Sequence, residues 1–255
     1  MGTNQNIHTG NTAPWGASRT GSLAAISGAV ILLIGTIMHP GGAEPNMPVD
    51  AFTEYAASQT WVASHLLQLL GVILVVAVLV LLARSMADGP AAEWATLGLT
   101  GAGAILALSG ALQAVDGVAL KVMVDSWASR PEPEKTAIFQ AALGVRQIEI
   151  GLASITSLIM GLTVVLYGIA LLIDWRFPRW IGAIALAGGA PMAVAGVVIA
   201  YTGFSDLAMI FNMAAGLLLI VWMVGLGVYG WRQATVSKRV GVPLNRGLPQ
   251  PKSEL

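Results

Sequence analysis

The sequence predicts an all-α polytopic membrane protein, a six-transmembrane-helix bundle with glycine-rich helix packing. Three observations carry this expectation. Apolar residues make up 56% of the 255 and charged residues only 10%, whereas a soluble domain uses roughly 25% charged residues to cover its surface. Six segments reach or approach the roughly 20 apolar residues that a helix needs to cross a hydrocarbon core about 30 Å thick. Glycine supplies 30 residues, many at seven-residue intervals within those segments, where small side chains let helices approach closely in lipid.

In chain order the expected spans cover residues 22–38, 62–83, 95–115, 150–173, 181–201 and 207–231. Only Arg19 immediately precedes the first, and no small-x-small cleavage motif follows it before His39-Pro40. It therefore reads as a retained span rather than a signal peptide. Between the first two spans, residues 49–58 read as a short helix. Residues 131–141 read as the start of a helix that runs on into span four, and residues 202–206 as a tight turn. The spanning domain is expected over 19–232. Residues 1–18 and 233–255, rich in glycine, proline and polar side chains with little to bury, read as disordered extensions.

Basic residues set the expected orientation. With a cytoplasmic N-terminus, Arg19, Arg84, Arg176, Arg179, Arg232, Lys238, Arg239, Arg246 and Lys252 all lie inside. The outer connections then hold only Lys121, Arg130 and Lys135. This asymmetry predicts a plasma-membrane protein with both termini cytoplasmic, and places Trp94, Trp175 and Trp180 at the inner interface. Net charge is zero and cysteine is absent. A nucleic-acid partner, disulfides and thiolate metal sites are thereby excluded. The expected partners are the bilayer, a small ligand at the outer face, and a membrane-protein partner or a second copy.

Glycines recur every seven residues on the three outward-running spans: Gly21, Gly28 and Gly35; Gly103, Gly110 and Gly117; Gly182, Gly189, Gly196 and Gly203. That spacing keeps them on one face of a left-handed helix pair. The residues between them do not match, which favours a packing stripe over an internal repeat.

Polar residues gather at the outer ends. His39 closes span one and His65 opens span two, with Gln68 on the same face. Ser109, Gln113 and Asp116 form a stripe on span three. Arg146, Gln147 and Glu149 precede the uncharged run of span four, and Asn212 lies near the outer end of span six. At 1.5 Å per residue, His39, His65 and Asp116 lie about 28–33 Å from their inner anchors, so they share one layer at the outer hydrocarbon boundary. The inner ends show nothing comparable. Ionisable residues at membrane depth are costly and mark candidate sites.

His39, His65, Asp116 and Glu149 are the expected metal ligands, with Gln68, Gln113 and Arg146 completing a ligand pocket. Imidazole suits Zn, Cu, Fe and Ni, and carboxylate suits harder ions. The two histidines alone would serve as axial ligands of haem b if a porphyrin slot separated them. Carboxylates beside histidine also suit a proton-coupled transporter. A non-catalytic accessory subunit of a membrane complex needs none of this chemistry. Enzymatic activity is left open: the chain has no HExxH, no GxSxG and no phosphate-cradling glycine loop, and an intramembrane zinc hydrolase would need carboxylates to complete its ligand set. Helix ends meeting water, an Arg146–Glu149 pair and amide bonding between helices would explain the same residues without a ligand.

Overall fold

A computed structural model describes residues 19–239. The described residues form helices α1 (Arg19–Met38), α2 (Pro48–Ala57), α3 (Trp61–Ser85) and α4 (Ala92–Gln113), a π-helical segment (Ala114–Leu120), then α5 (Lys121–Ser129), α6 (Glu134–Ile173), α7 (Arg179–Thr202) and α8 (Asp206–Arg239), with no strand among them. Six helices are long and apolar enough to cross a membrane: α1, α3, the continuous α4–π–α5 rod, α6, α7 and α8.

Several boundaries differ from the sequence expectation. The third span does not end near residue 115, because Ala114–Leu120 widens into a π-helix and the chain runs helically to Ser129. The fourth begins at Glu134 and is 40 residues long, as the 131–141 reading anticipated. The last helix continues past Arg232, the expected end of the spanning domain. It runs to Arg239, Ala234 is 3% exposed, and Thr235 bonds back to the Trp231 carbonyl. Of the segments expected to be disordered, 1–18 and 233–255, residues 233–239 are helical, and 1–18 and 240–255 lie outside the described residues.

The spanning helices close into a ring. Each packs on the next in the chain (α1 on α3, α3 on α4, α4 on α6, α6 on α7, α7 on α8), and α8 returns to α1. The interior is filled by Leu79, Leu82, Tyr167, Ile181, Trp222 and Leu226, all essentially buried. Tyr167 crosses it, donating its hydroxyl to the Leu79 carbonyl at 2.9 Å. A buried phenol needs such a partner.

Glycine permits the closest approaches. At Gly189 an added Cβ would lie 2.9 Å from the Gly161 carbonyl and from the Val165 amide of α6, and at Gly196 2.7 Å from the Ser154 carbonyl. On α1, a Cβ at Gly35 would meet the Ser64 carbonyl of α3 at 2.9 Å. On α4 the same spacing faces outward: Gly103 and Gly110 have nothing within 4 Å.

The two ends differ. At one, Arg84, Arg176 and Arg179 accompany Trp175 and Trp180, which stand 85% and 49% exposed. Here the sequence reading missed a buried carboxylate. Asp174 is 1% exposed and accepts from the Arg176 backbone and guanidinium at the turn into α7. The other end, called here the histidine end, carries the candidate site.

Candidate functional site

The histidine end is assembled from short-range bonds that each element supplies. After α1, the chain runs through His39-Pro40 and a strap to α2. Gly42 and Ala43 donate backbone N–H groups to the Glu54 carboxylate at 2.8 and 3.0 Å. Asn46 bonds the Thr202 carbonyl and accepts from the Phe204 amide, tying the strap to the α7–α8 turn. Gly203 at φ 61 takes the left-handed backbone that this turn requires. Lys121 fastens α2 from the other side through the Ala56 carbonyl at 3.0 Å.

Within that frame three predicted residues converge. His39, His65 and Asp116 each offer a ligand atom, and the three atoms lie within 4.8 Å of one another. His65 is 2% exposed and its Nε2 stands 3.0 Å from Asp116 Oδ2. Its Nδ1 lies 2.7 Å from the Trp61 carbonyl, and His39 Nδ1 lies 2.6 Å from the Pro40 carbonyl. A carbonyl or a carboxylate only accepts, so each Nδ1 donates to its carbonyl and His65 Nε2 donates to Asp116 Oδ2, a proton that a metal ion at this site would displace. Metal-binding histidines are oriented in this way, by giving the remote N–H to a carbonyl or carboxylate. Burial holds His39 below the ordinary histidine range, and His65 adds to this while Asp116 opposes it.

Asp116 is positioned by the π segment, a distortion that recurs at functional sites. Gly117 lets the segment approach α3, since a Cβ there would lie 2.5 Å from His65 Cβ. One turn deeper, Gln113 donates to Gln68 Oε1 at 3.4 Å. Below these, Val72, Val76, Ala102 and Ile105 form a buried apolar layer.

The other two predicted charges form a unit of their own. Arg146 and Glu149 are 5% and 3% exposed and pair at 2.5 Å. Arg146 also donates to the Pro45 carbonyl at 3.2 Å and lies between the rings of Tyr55 and Phe204, 5.4 and 5.0 Å from their centroids. Glu149 is thus held by Arg146 and stands outside the three-ligand group. Arg146 braces the strap.

Sequence reasoning missed Trp61. It is 1% exposed, and its indole donates to the Asp116 backbone carbonyl at 3.0 Å. Its ring packs on His39, His65 and Tyr55 at centroid distances of 4.8, 4.6 and 4.2 Å. The available signal was its position at the start of the span, four residues before His65, where its carbonyl meets the imidazole. Tyr55 was missed with it. Burial pushes the Tyr55 hydroxyl up to about 12, with Arg146 opposing and Glu149 adding.

The geometry separates two of the anticipated cofactors. Haem ligation puts the two nitrogens on opposite faces of a porphyrin, about 4 Å apart through the iron. Here the histidine rings touch, with centroids 5.0 Å apart, and Asp116 occupies the approach to His65 Nε2. No slot for a macrocycle lies between them. A single ion with two nitrogen ligands and one oxygen ligand fits the donor set. No family model, curated protein or solved structure matches this chain.

Proposed function

We propose that the chain is a multi-pass plasma-membrane protein whose histidine end binds a divalent transition-metal ion through His39, His65 and Asp116. The observation that carries this reading is the convergence of two imidazoles and a carboxylate within 4.8 Å. Two nitrogens and one oxygen suit Zn²⁺, Co²⁺, Ni²⁺ or Fe²⁺ better than Mg²⁺ or Ca²⁺, which favour oxygen ligands throughout. Three protein ligands leave a further coordination position open.

The membrane setting rests on the outward faces of the helices. Leu23, Ile37, Leu66, Leu97, Leu162 and Met213 are each more than 45% exposed, a surface that lipid accommodates and water does not. Close glycine contacts hold such a bundle together where lipid supplies no hydrophobic drive. The excess of Arg and Lys at the opposite end supports cytoplasmic termini and a site facing outward. The apolar layer beneath Gln68 and Gln113, and the filled ring interior, support a site reached from one end over a transport path through the bundle.

The test is titration of the purified full chain in detergent with Co²⁺, followed by its visible d–d absorption. The wild type takes up one ion. His39→Ala, His65→Ala and Asp116→Asn lose it, and Glu149→Gln retains it. A wild type that binds no stoichiometric Co²⁺ or Zn²⁺ removes the proposal.

A further inference from the structure

Resting on the metal reading above, we infer that the ion carries a coordinated water held by Asp116 Oδ1 and Gln113 Oε1, so that Gln113 tunes the site without ligating the metal. Among the described residues, five buried side-chain polar atoms have no hydrogen-bond partner: Ser22 Oγ, Thr156 Oγ1, Trp222 Nε1, Asp116 Oδ1 and Gln113 Oε1. The first three belong to groups that can donate. Only the last two are carboxylate or amide oxygens, and both lie on the α4–π stripe, one turn apart.

Gln113 is 9% exposed. Its Nε2 faces Gln68 Oε1 at 3.4 Å, which leaves the oxygen as the free end of the amide. Leaving a buried acceptor unsatisfied costs about 1–3 kcal/mol, so an orphan of this kind calls for an explanation. Whatever satisfies Gln113 Oε1 and Asp116 Oδ1 must donate hydrogen. Asp116 Oδ2 already faces His65 Nε2 at 3.0 Å, so one carboxylate serves both sides: Oδ2 on the histidine side, Oδ1 towards the water. A water polarised by a divalent cation has two protons to give, which matches two acceptors. Conserving both bonds also explains why an amide pair sits directly under the ligands, where leucine would pack more cheaply.

The experiment compares wild type, Gln113→Leu and Gln113→Glu, each as the full chain in detergent with Co²⁺ alone. Gln113→Leu should bind Co²⁺ about 10–100-fold more weakly, the usual cost of losing an outer-shell partner. Its ion-free form exchanges one orphaned acceptor for another, because Gln68 Oε1 loses its donor, so it should melt close to wild type. Gln113→Glu, which keeps an acceptor oxygen, should retain binding. Electron–nuclear double resonance of the Co²⁺ form in H₂O against D₂O should show exchangeable water protons whose couplings change in Gln113→Leu. Equal Co²⁺ affinity in wild type and Gln113→Leu overturns this inference and leaves the metal reading standing. So do couplings that do not change. Loss of binding in Gln113→Glu equal to that in Gln113→Leu also overturns it. A wild type that binds no Co²⁺ removes both.

Discussion

Adding one methyl group at Gly196 should separate α6 from α7, while the same change at Gly103 should do no harm. At Gly196 the new Cβ would lie 2.4 Å from the Leu158 amide nitrogen and 2.7 Å from the Ser154 carbonyl, and ordinary contact begins at 3.4 Å. The obstructing atoms are backbone, so no side chain can swing aside, and the helices must part locally by about 1 Å. A radial gap of about 0.5–1 Å forfeits a quarter to a half of the dispersion well of each contact beside it. The Ser154 hydroxyl bond to the Gly196 carbonyl, 2.9 Å long, would stretch as well. Overpacking of this kind costs about 1–3 kcal/mol. At Gly103 a Cβ meets nothing within 4 Å, and Ala for Gly in a helix gains up to about 1 kcal/mol. Thermal unfolding in one detergent should therefore place Gly196→Ala below wild type and Gly103→Ala at or above it. Equal shifts for the two variants, in either direction, would refute the argument that α6 and α7 are in backbone contact.

Three further outcomes are expected. Arg146→Met or Glu149→Gln alone should destabilise the protein by about 3–5 kcal/mol by leaving a buried partner uncompensated, whereas Arg146→Met with Glu149→Leu should recover most of the loss; denaturant unfolding of the three variants tests this. Tyr55 has a folded-state value raised to about 12 from 10.0, so its contribution is full below pH 10 and fades as pH climbs from about 10 to about 12. A difference titration of the tyrosinate band between wild type and Tyr55→Phe should show one group ionising near the upper value, and a transition near 10 would contradict its burial. Trp61→Phe keeps an aromatic ring but loses the donor to the Asp116 carbonyl. It should weaken Co²⁺ binding and remove most of the fluorescence quenching that Co²⁺ causes in the wild type; unchanged quenching would mean that Trp61 does not report on the site.

Much of the fold was legible because long apolar runs permit little besides helices. His39 and His65 were placed in one layer from rise per residue alone, and both do reach it. Gln68 and Gln113 were likewise readable as a pair, each one turn below a charged neighbour. What the sequence hid was rotation about the helix axes. An α-helical register gives no hint that Ala114–Leu120 widens into a π segment, or that Gly117 within it lies against His65 of α3. The Arg146–Glu149 pair was readable from its spacing on one helix face, but the two rings and the Pro45 carbonyl that hold Arg146 come from distant parts of the chain. The groups that Trp61 meets, His39, Tyr55 and the Asp116 carbonyl, lie on separate elements, so its sequence neighbours do not reveal them. Nothing local to Asp174 signals that Arg176 folds back over it.

A ring of spans has no outermost member. Because α8 seals against α1, and Arg19 lies 4.5 Å over the Trp231 ring, every span is flanked on both sides and none can peel away while the others stay as they were. Detaching any one breaks two seams, and losing α1 also takes His39 with it. Dissolution of this bundle should therefore be abrupt, with the polar cluster and the helix framework failing together.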